Sequence, residues 1–287
     1  MFAICPLSSI PVRANPSDSA EMTTQILFGE VVEIIKTVDR LDALNNGWLF
    51  VRCTWDNYNG WVTKKQLQII DNEYIINEEK SYCFELTNAV MGNDHSLPIT
   101  IGASLPNFDG ISFDLNGSKF TFSGQAIYPS QIVANSTLLL KIARRYLYAP
   151  YLWGGRSPFG IDCSGFTQQC FKMLGTALPR DAFQQAEIGE NVDFLAQAQA
   201  GDLAYFQNTS GRIIHVGILM GDGLIIHASG HVRIDKIDHY GIYDVQNQRY
   251  SHVLRLVKRL LPKEETNAIA IVQKVVEDVS LNQTSLF

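Results

Sequence analysis

The sequence predicts an α+β domain preceded by one or two small β-barrels, and three observations carry that prediction. The first 134 residues fall into short β-branched and aromatic runs cut by Gly, Pro and Asn. From residue 136 apolar residues recur at helical spacing, and strand-like runs with tight turns follow from residue 202. The length of 287 residues suits two or three domains. The expected boundaries are residues 1–70 for a first barrel, 71–134 for a second small β-module of similar kind, 135–260 for the α+β domain and 261–287 for a C-terminal extension.

In residues 1–70 the breaks at Asn15-Pro16-Ser17-Asp18 and Gly29-Glu30 separate β-branched runs. The segment GWLFVRCTWDNYNGWV reads as two strands around a hairpin at Asp56–Gly60. Residues 71–134 repeat this texture more weakly, with Asn116-Gly117 as a further turn. Ser136 is the expected N-cap of a helix running through Leu138, Leu139, Ile142, Ala143 and Tyr146, which Pro150 ends. The Gly-rich loop YLWGGRSPFGID then leads into a second helix, CSGFTQQCFKMLG, with Phe166, Cys170, Phe171 and Leu174 on its apolar stripe. A short helix is expected after Pro179. Strands are expected at 202–206, 215–220, 224–228 and 253–257. In the C-terminal extension Ala268, Val272, Val275, Val276 and Val279 share one helical face.

Composition excludes several function classes. Twenty-three Lys+Arg against 29 Asp+Glu give a net charge of −6 with no basic run, which argues against nucleic acid or an anionic membrane surface as the main partner. No apolar stretch reaches the roughly 18–20 residues of a membrane span. The 46% hydrophobic share supplies real cores. Five cysteines without C-x-x-C spacing suit free thiols in a reducing compartment. Residues 1–12 lack the basic start and uninterrupted apolar run of a secretory signal. A cytoplasmic location is therefore expected, with export to the periplasm or cell wall as the alternative.

Cys163 is the most informative single residue. It stands where the Gly-rich loop ends and a helix begins, where backbone N–H groups and the helix dipole favour thiolate and are expected to bring the thiol from about 8.5 into a range of about 3.5–7.5. His215 and His227 lie twelve residues apart on two runs joined by Gly221-Asp222-Gly223, so they are expected on neighbouring strands. A cysteine nucleophile needs a base, and the base needs a third polar group to hold its tautomer. The trio could instead bind zinc, but the local C-x-x-C and H-E-x-x-H spacings are missing, and so is the G-x-S-x-G of a serine hydrolase. No metal or cofactor is expected. His95, His231, His239 and His252 are read as ordinary satisfied or surface imidazoles.

YLWGGRSPFGIDCSGF, LPRDAFQQA, GDLAYF and HVGILMGDGLIIHASG, in that order, resemble the NlpC-type family of papain-like bacterial cell-wall cysteine peptidases over about residues 136–260. VRANPSDSAEMTTQILFGE through WDNYNGWV resembles bacterial SH3-like domains. The combination is similar to γ-D-glutamyl-L-diamino acid endopeptidases that degrade murein peptides. The resemblance implies a papain-like catalytic domain with helices packed on an antiparallel sheet. Its nucleophile would be Cys163, its base His215 and its third polar residue His227. It implies murein-derived peptides as substrates, cleaved at the γ-D-Glu–diamino acid bond through an acyl-enzyme. Asp162 would meet the ammonium of an unblocked L-Ala, with an N-cap role as its alternative, and Ser164 would donate to a carboxylate. Tyr151 would line the pocket, and Tyr58 and Glu21 would cap the ammonium from the SH3-like side. Trp153, Arg156 and Arg180 are read as structural. Two other functions fit the same residues: a murein-binding adaptor led by the SH3-like part, and an amidase or acyltransferase using the same thiol.

Overall fold

A computed structural model describes residues 1–38, 47–70, 79–245 and 247–262. The first module contains β1 (Phe2–Ile4), β2 (Ser9–Arg13), β3 (Met22–Leu27), β4 (Val31–Val38), β5 (Trp48–Cys53), β6 (Asn59–Thr63) and β7 (Gln68–Ile70). They form one antiparallel sheet in the order β3-β2-β6-β5-β4-β1-β7. Its strands surround a single core built from Ala3, Ile10, Val12, Ile26, Val32, Val51 and Val62. A sheet that lines one core from several sides has to curl on itself. The β5–β6 turn falls where the sequence marks it: Asn57 takes the left-handed conformation at φ 58°, and the Asp56 carboxylate accepts from the Tyr58 N–H at 3.0 Å.

The second module holds β8 (Tyr82–Cys83), β9 (Thr87–Met91), β10 (Ser96–Thr100), β11 (Ser112–Leu115), β12 (Ser118–Thr121) and β13 (Ala126–Ile127). Four of these strands form a sheet in the order β10-β9-β12-β11, and β13 pairs with β8. Its aromatic core of Phe113, Phe120 and Phe122 takes in Ile4, Phe28 and Ile70 from the first module. The two modules therefore share apolar burial.

The third module begins with α1 (Ser136–Arg145), then β14 (Arg156–Ser157), β15 (Gly160–Ile161), α2 (Cys163–Lys172), α3 (Ala182–Gln185) and β16 (Glu190–Val192). It ends with β17 (Leu203–Gln207), β18 (Ile213–Gly221), β19 (Leu224–Ser229), β20 (His231–Ile237), β21 (Gly241–Asp244) and β22 (Arg249–Arg259). The N-cap of α1 is Asn135, not Ser136: the Asn135 side chain accepts from the Leu138 N–H at 2.8 Å, and Ser136 is the first helical residue. The sheet runs β16-β22-β17-β18-β19-β20-β21, and β21 also pairs with β22. Strands β17 to β22 thus close into a six-stranded antiparallel barrel, a closure that the expected antiparallel sheet did not include; β16, β20 and β21 lie outside the expected strand runs. Helices are few, only α1, α2 and α3 among the described residues, so the α+β description fits this module loosely. Phe206, Leu219, Ile225 and Ile242 fill the barrel, while Val216, Ile218, Ile226 and Val232 on the opposite strand face pack on α1 and α2.

The modules are held together around the loop that precedes α2. Gly154 has φ +76°, and a Cβ there would come within 2.4 Å of the Met22 carbonyl, so the loop lies directly on β3. Arg156, fully buried, donates to the Gln25 carbonyl at 2.6 Å and pairs with both oxygens of Glu30 at 2.8 and 2.9 Å. Lys172, at the far end of α2, reaches Glu30 at 2.6 Å and the Gly102 carbonyl of the second module at 2.7 Å. The C-terminal helical face read at Ala268–Val279 lies outside the described residues. Among the described residues no helix is long and apolar enough to cross a membrane.

Candidate active site

Asp162 caps α2 and sets the position of its first turn. One carboxylate oxygen accepts from the Gly165 N–H at 2.7 Å, and the other from the Gly154 N–H at 2.8 Å. Arg180 grips the same carboxylate with bonds of 3.0 and 2.6 Å, donates to the Ser164 hydroxyl at 2.9 Å, and reaches Thr24 of β3 at 2.9 Å. The Ser164 hydroxyl in turn donates to Asp162 at 3.3 Å. Asp162 thus takes the N-cap role, with protein donors on both of its oxygens. Gln185 of α3 locks the next layer: it accepts from Thr167 at 2.7 Å and donates to the Ser164 carbonyl at 3.0 Å.

Cys163 is the first residue of α2 and is 6% exposed. The helix packs on β18 and β19. The Val216 backbone N–H, one residue past His215, and the Ser164 N–H favour the ionised form of the sulfur. Burial and the neighbouring Asp162 carboxylate push the Cys163 thiol up to about 12, against the opposing pull of those N–H groups and Arg180. The sequence expectation of a lowered thiol is thus corrected. The helix start is present, but desolvation of the sulfur outweighs it.

His215 and His227 sit where the register puts them. Gly217 lies opposite His227, which places His215 diagonally across the β18–β19 pair on the same face. A Cβ at Gly217 would come within 2.8 Å of the His227 Cβ, so the glycine opens the space through which the two rings meet. His215 Nε2 and His227 Nδ1 are 2.8 Å apart. His227 Nε2 continues to Asp235 of β20 at 3.0 Å, and Arg233 holds the other Asp235 oxygen at 2.8 Å. Above them His252 of β22 stacks on His215 with ring centroids 4.1 Å apart and planes at 27°, over Phe206 at the end of the barrel core. Burial, then the neighbouring imidazoles His227 and His252, lowers His215 well below the ordinary histidine range. Burial also lowers His227, in spite of Asp235. The resting pair is therefore a thiol and a neutral imidazole.

The remaining sequence-predicted residues fall on the loop before α2 and on the first module. Burial and then the proximity of Cys163 and Asp162 push the half-buried Tyr151 phenol upward. Tyr58, half-buried in the first module, hydrogen-bonds Thr23 and stands beside Asp181 and Arg180. Glu21 is exposed and accepts from the Trp153 indole N–H at 2.6 Å. Trp153, read from sequence as structural, is 60% exposed. Sequence reasoning missed Asp235 and His252. The alternating run VRIDKI after Gly230 was the available signal for Asp235; none was available for His252. Among the described residues no group of three or more His, Cys, Asp or Glu is placed to hold a metal.

A cysteine at a helix start, set against a barrel strand that carries a paired histidine, is the layout of a cysteine peptidase. Known proteins agree with it: residues 148–255 match the NlpC/P60 family, and residues 12–67 match the bacterial dipeptidyl-peptidase Sh3 domain. The chain is 31% identical over 222 residues to the gamma-D-glutamyl-L-lysine dipeptidyl-peptidase of Bacillus subtilis, covering 71% of each chain. It is 31% identical over 231 residues to the Bacillus cereus protein of the same name, covering 74% of this chain and 68% of that one. A solved NlpC/P60 family protein from Bacillus cereus has the same fold, with a TM-score of 0.77 at 24% identity over 91% of this chain and 100% of that one. The chain belongs to the NlpC/P60 family of cysteine peptidases and carries a bacterial dipeptidyl-peptidase Sh3 domain ahead of the catalytic module.

Proposed function

We propose that the protein cleaves the γ-D-Glu–diamino acid bond of murein-derived peptides that begin with an unblocked L-Ala, using Cys163 as nucleophile, His215 as base and His227 as the group that orients it. The observation that carries this is Cys163 at the start of α2, a helix packed on the strand that carries His215, whose ring is held 2.8 Å from His227. The names of the two Bacillus relatives support the substrate class.

Because thiol and imidazole both rest neutral, attack on the γ-carbonyl proceeds as the Cys163 proton passes to His215. The sulfur–carbon bond forms, and the carbonyl oxygen becomes an oxyanion facing the Cys163 backbone N–H. Such a donor contributes about 3–4 kcal/mol in acyl-transfer enzymes. Protonated His215 then gives its proton to the departing amine, leaving an acyl-enzyme. Water, deprotonated by His215, attacks the thioester and frees the L-Ala-D-Glu product and the thiol.

Selection at the amino end follows from the two-module rim. Glu21, held by Trp153, is a carboxylate of the first module open to an incoming ammonium, and Tyr58, beside Asp181 and Arg180, closes the same end of the pocket. Asp162 acts from behind through its charge while its oxygens hold the helix cap, and Tyr151 faces the D-Glu moiety. The Ser164 hydroxyl, expected from the sequence to donate to a substrate carboxylate, donates to Asp162 instead and serves the cap. With five free, buried cysteines, the chain suits peptide turnover in a reducing compartment, which cell fractionation would test.

The discriminating experiment offers the L-Ala-γ-D-Glu tripeptides of L-lysine and of meso-diaminopimelate, each free and N-acetylated, with products read by mass spectrometry. L-Ala-D-Glu should appear from the free peptides, with the acetylated forms cleaved at least about tenfold more slowly. Equal rates on free and acetylated peptides would overturn the rim as a selectivity wall, and no cleavage of any would overturn the substrate.

A further inference from the structure

The chain of hydrogen bonds leading away from His215 fixes where its protons sit. Asp235 is ionised: burial opposes this, but hydrogen bonds from His227 and Arg233 lower its carboxyl below the ordinary range. A carboxylate only accepts, so the 3.0 Å contact places a proton on Nε2 of His227. In a neutral imidazole this leaves Nδ1 of His227 bare. Nδ1 is the atom 2.8 Å from His215 Nε2, which must then be the donor. His215 is left with its Nδ1 unprotonated.

We propose that Asp235 is a positioning residue that acts through His227 to decide which nitrogen of His215 is free to take the Cys163 proton, and that Arg233 pins Asp235 in the orientation this requires. The proposal deepens the peptidase mechanism above and rests on it. The proton that leaves sulfur lands on Nδ1 of His215, whose Nε2–H already points at His227 and needs no rearrangement. No proton has to move along the chain to Asp235.

The geometry makes one substitution unusually informative. Arg233 donates to Oδ1 of Asp235 at 2.8 Å. In Asp235→Asn the amide oxygen stays with Arg233, and the NH2 falls where Oδ2 faced His227. Two donors cannot face each other, so His227 must carry its proton on Nδ1. His215 then has to accept at Nε2 and is protonated at Nδ1, the nitrogen meant for the thiol. The corresponding Asp→Asn change in serine proteases lowers kcat about 10⁴-fold through the wrong tautomer, and a loss of about 10²–10⁴-fold with little change in KM is expected here. Removing the pin should undo it: in Asp235→Asn/Arg233→Met the amide can turn its oxygen to His227, and kcat should recover at least about tenfold.

The test joins these kinetics to the imidazole NMR spectra of ¹⁵N-histidine-labelled protein. Wild type should show Nε2–H forms of His215 and His227, and Asp235→Asn should show Nδ1–H forms in a protein whose thermal melt is unchanged. An Nδ1–H form of His215 in wild type, a kcat for Asp235→Asn within twofold of wild type, or no recovery in the double variant would each overturn the proposal. The spectra read tautomers without substrate. A wild-type protein that cleaves no murein peptide would therefore overturn the peptidase assignment, leaving the tautomer result to be judged separately.

Discussion

At the junction of the three modules, Glu30 sits between Arg156 and Lys172, all three at most 8% exposed, and accepts charged hydrogen bonds from both. At the end of the barrel, His215 and His227 are buried just as deeply, but they rest neutral and charge is confined to the outer Asp235–Arg233 pair. Burial penalises ions in both places. The junction answers by pairing: burial raises Glu30, but Arg156 and Lys172 overcome this and hold it below the ordinary carboxylate range, while burial brings Lys172 down to about 8. The barrel end answers by discharging its imidazoles. Paired charges give a rigid joint, whereas neutral rings linked by single hydrogen bonds keep a bare nitrogen available for chemistry.

The sharpest way to break this contrast is Cys163→Ala. Turnover of the tripeptide should fall by about 10³-fold or more, while stability in urea changes by no more than about 1–2 kcal/mol. A variant that unfolds would make the barrel end a structural joint as well. Glu30→Ala should behave in the opposite sense, stranding two buried cations and costing about 3–5 kcal/mol. Lys172→Met leaves the two-pronged Arg156–Glu30 pair intact and should cost only about 1–2 kcal/mol. Equal losses would mean that the pairing is not centred on Glu30.

Acid titration separates the two regions by pH. His215, His227 and His252 all have lowered pKa values in the folded protein, His252 about 4. Below an unfolded value of about 6.5 the unfolded chain binds protons that the folded chain refuses, so stability must fall as pH falls. The loss should begin near pH 6.5 and approach about 1.4 kcal/mol per pH unit for each ring. The depressed carboxylates Glu30 and Asp235 add to it only below about pH 4.5. Urea midpoints that stay flat between pH 7 and 5 would sink the neutral-imidazole description. The smallest effect is expected at the exposed rim. Glu21→Gln should raise KM for the free-amine tripeptide about 2–5-fold, the worth of a solvent-exposed ion pair, and leave the N-acetylated peptide unchanged.

Much of the site was legible in the sequence because its signals are local. The loop-to-helix step places Cys163, and two β-branched runs joined by a Gly-Asp-Gly turn place His215 and His227 on paired strands. Where the sequence misled, the deciding interaction came from far along the chain. Asn135 and Ser136 are both good caps, and the backbone path into α1 chose between them. Asp235 entered through a strand, β20, whose register against His227 no local pattern reveals. Arg180 looked like one more structural cation until the fold laid it against Asp162, Ser164 and Thr24 together.

The order of modules, the thiol at the head of a helix and the spacing of the two histidines were set by the sequence alone, since each depends on neighbours within a few turns or one hairpin. The protonation state of that thiol, the closure of the strands into a barrel and the carboxylate behind the second histidine were decided only by the tertiary structure. Desolvation and hydrogen-bond direction are properties of the space around an atom, and that space is filled by residues scattered across the whole chain.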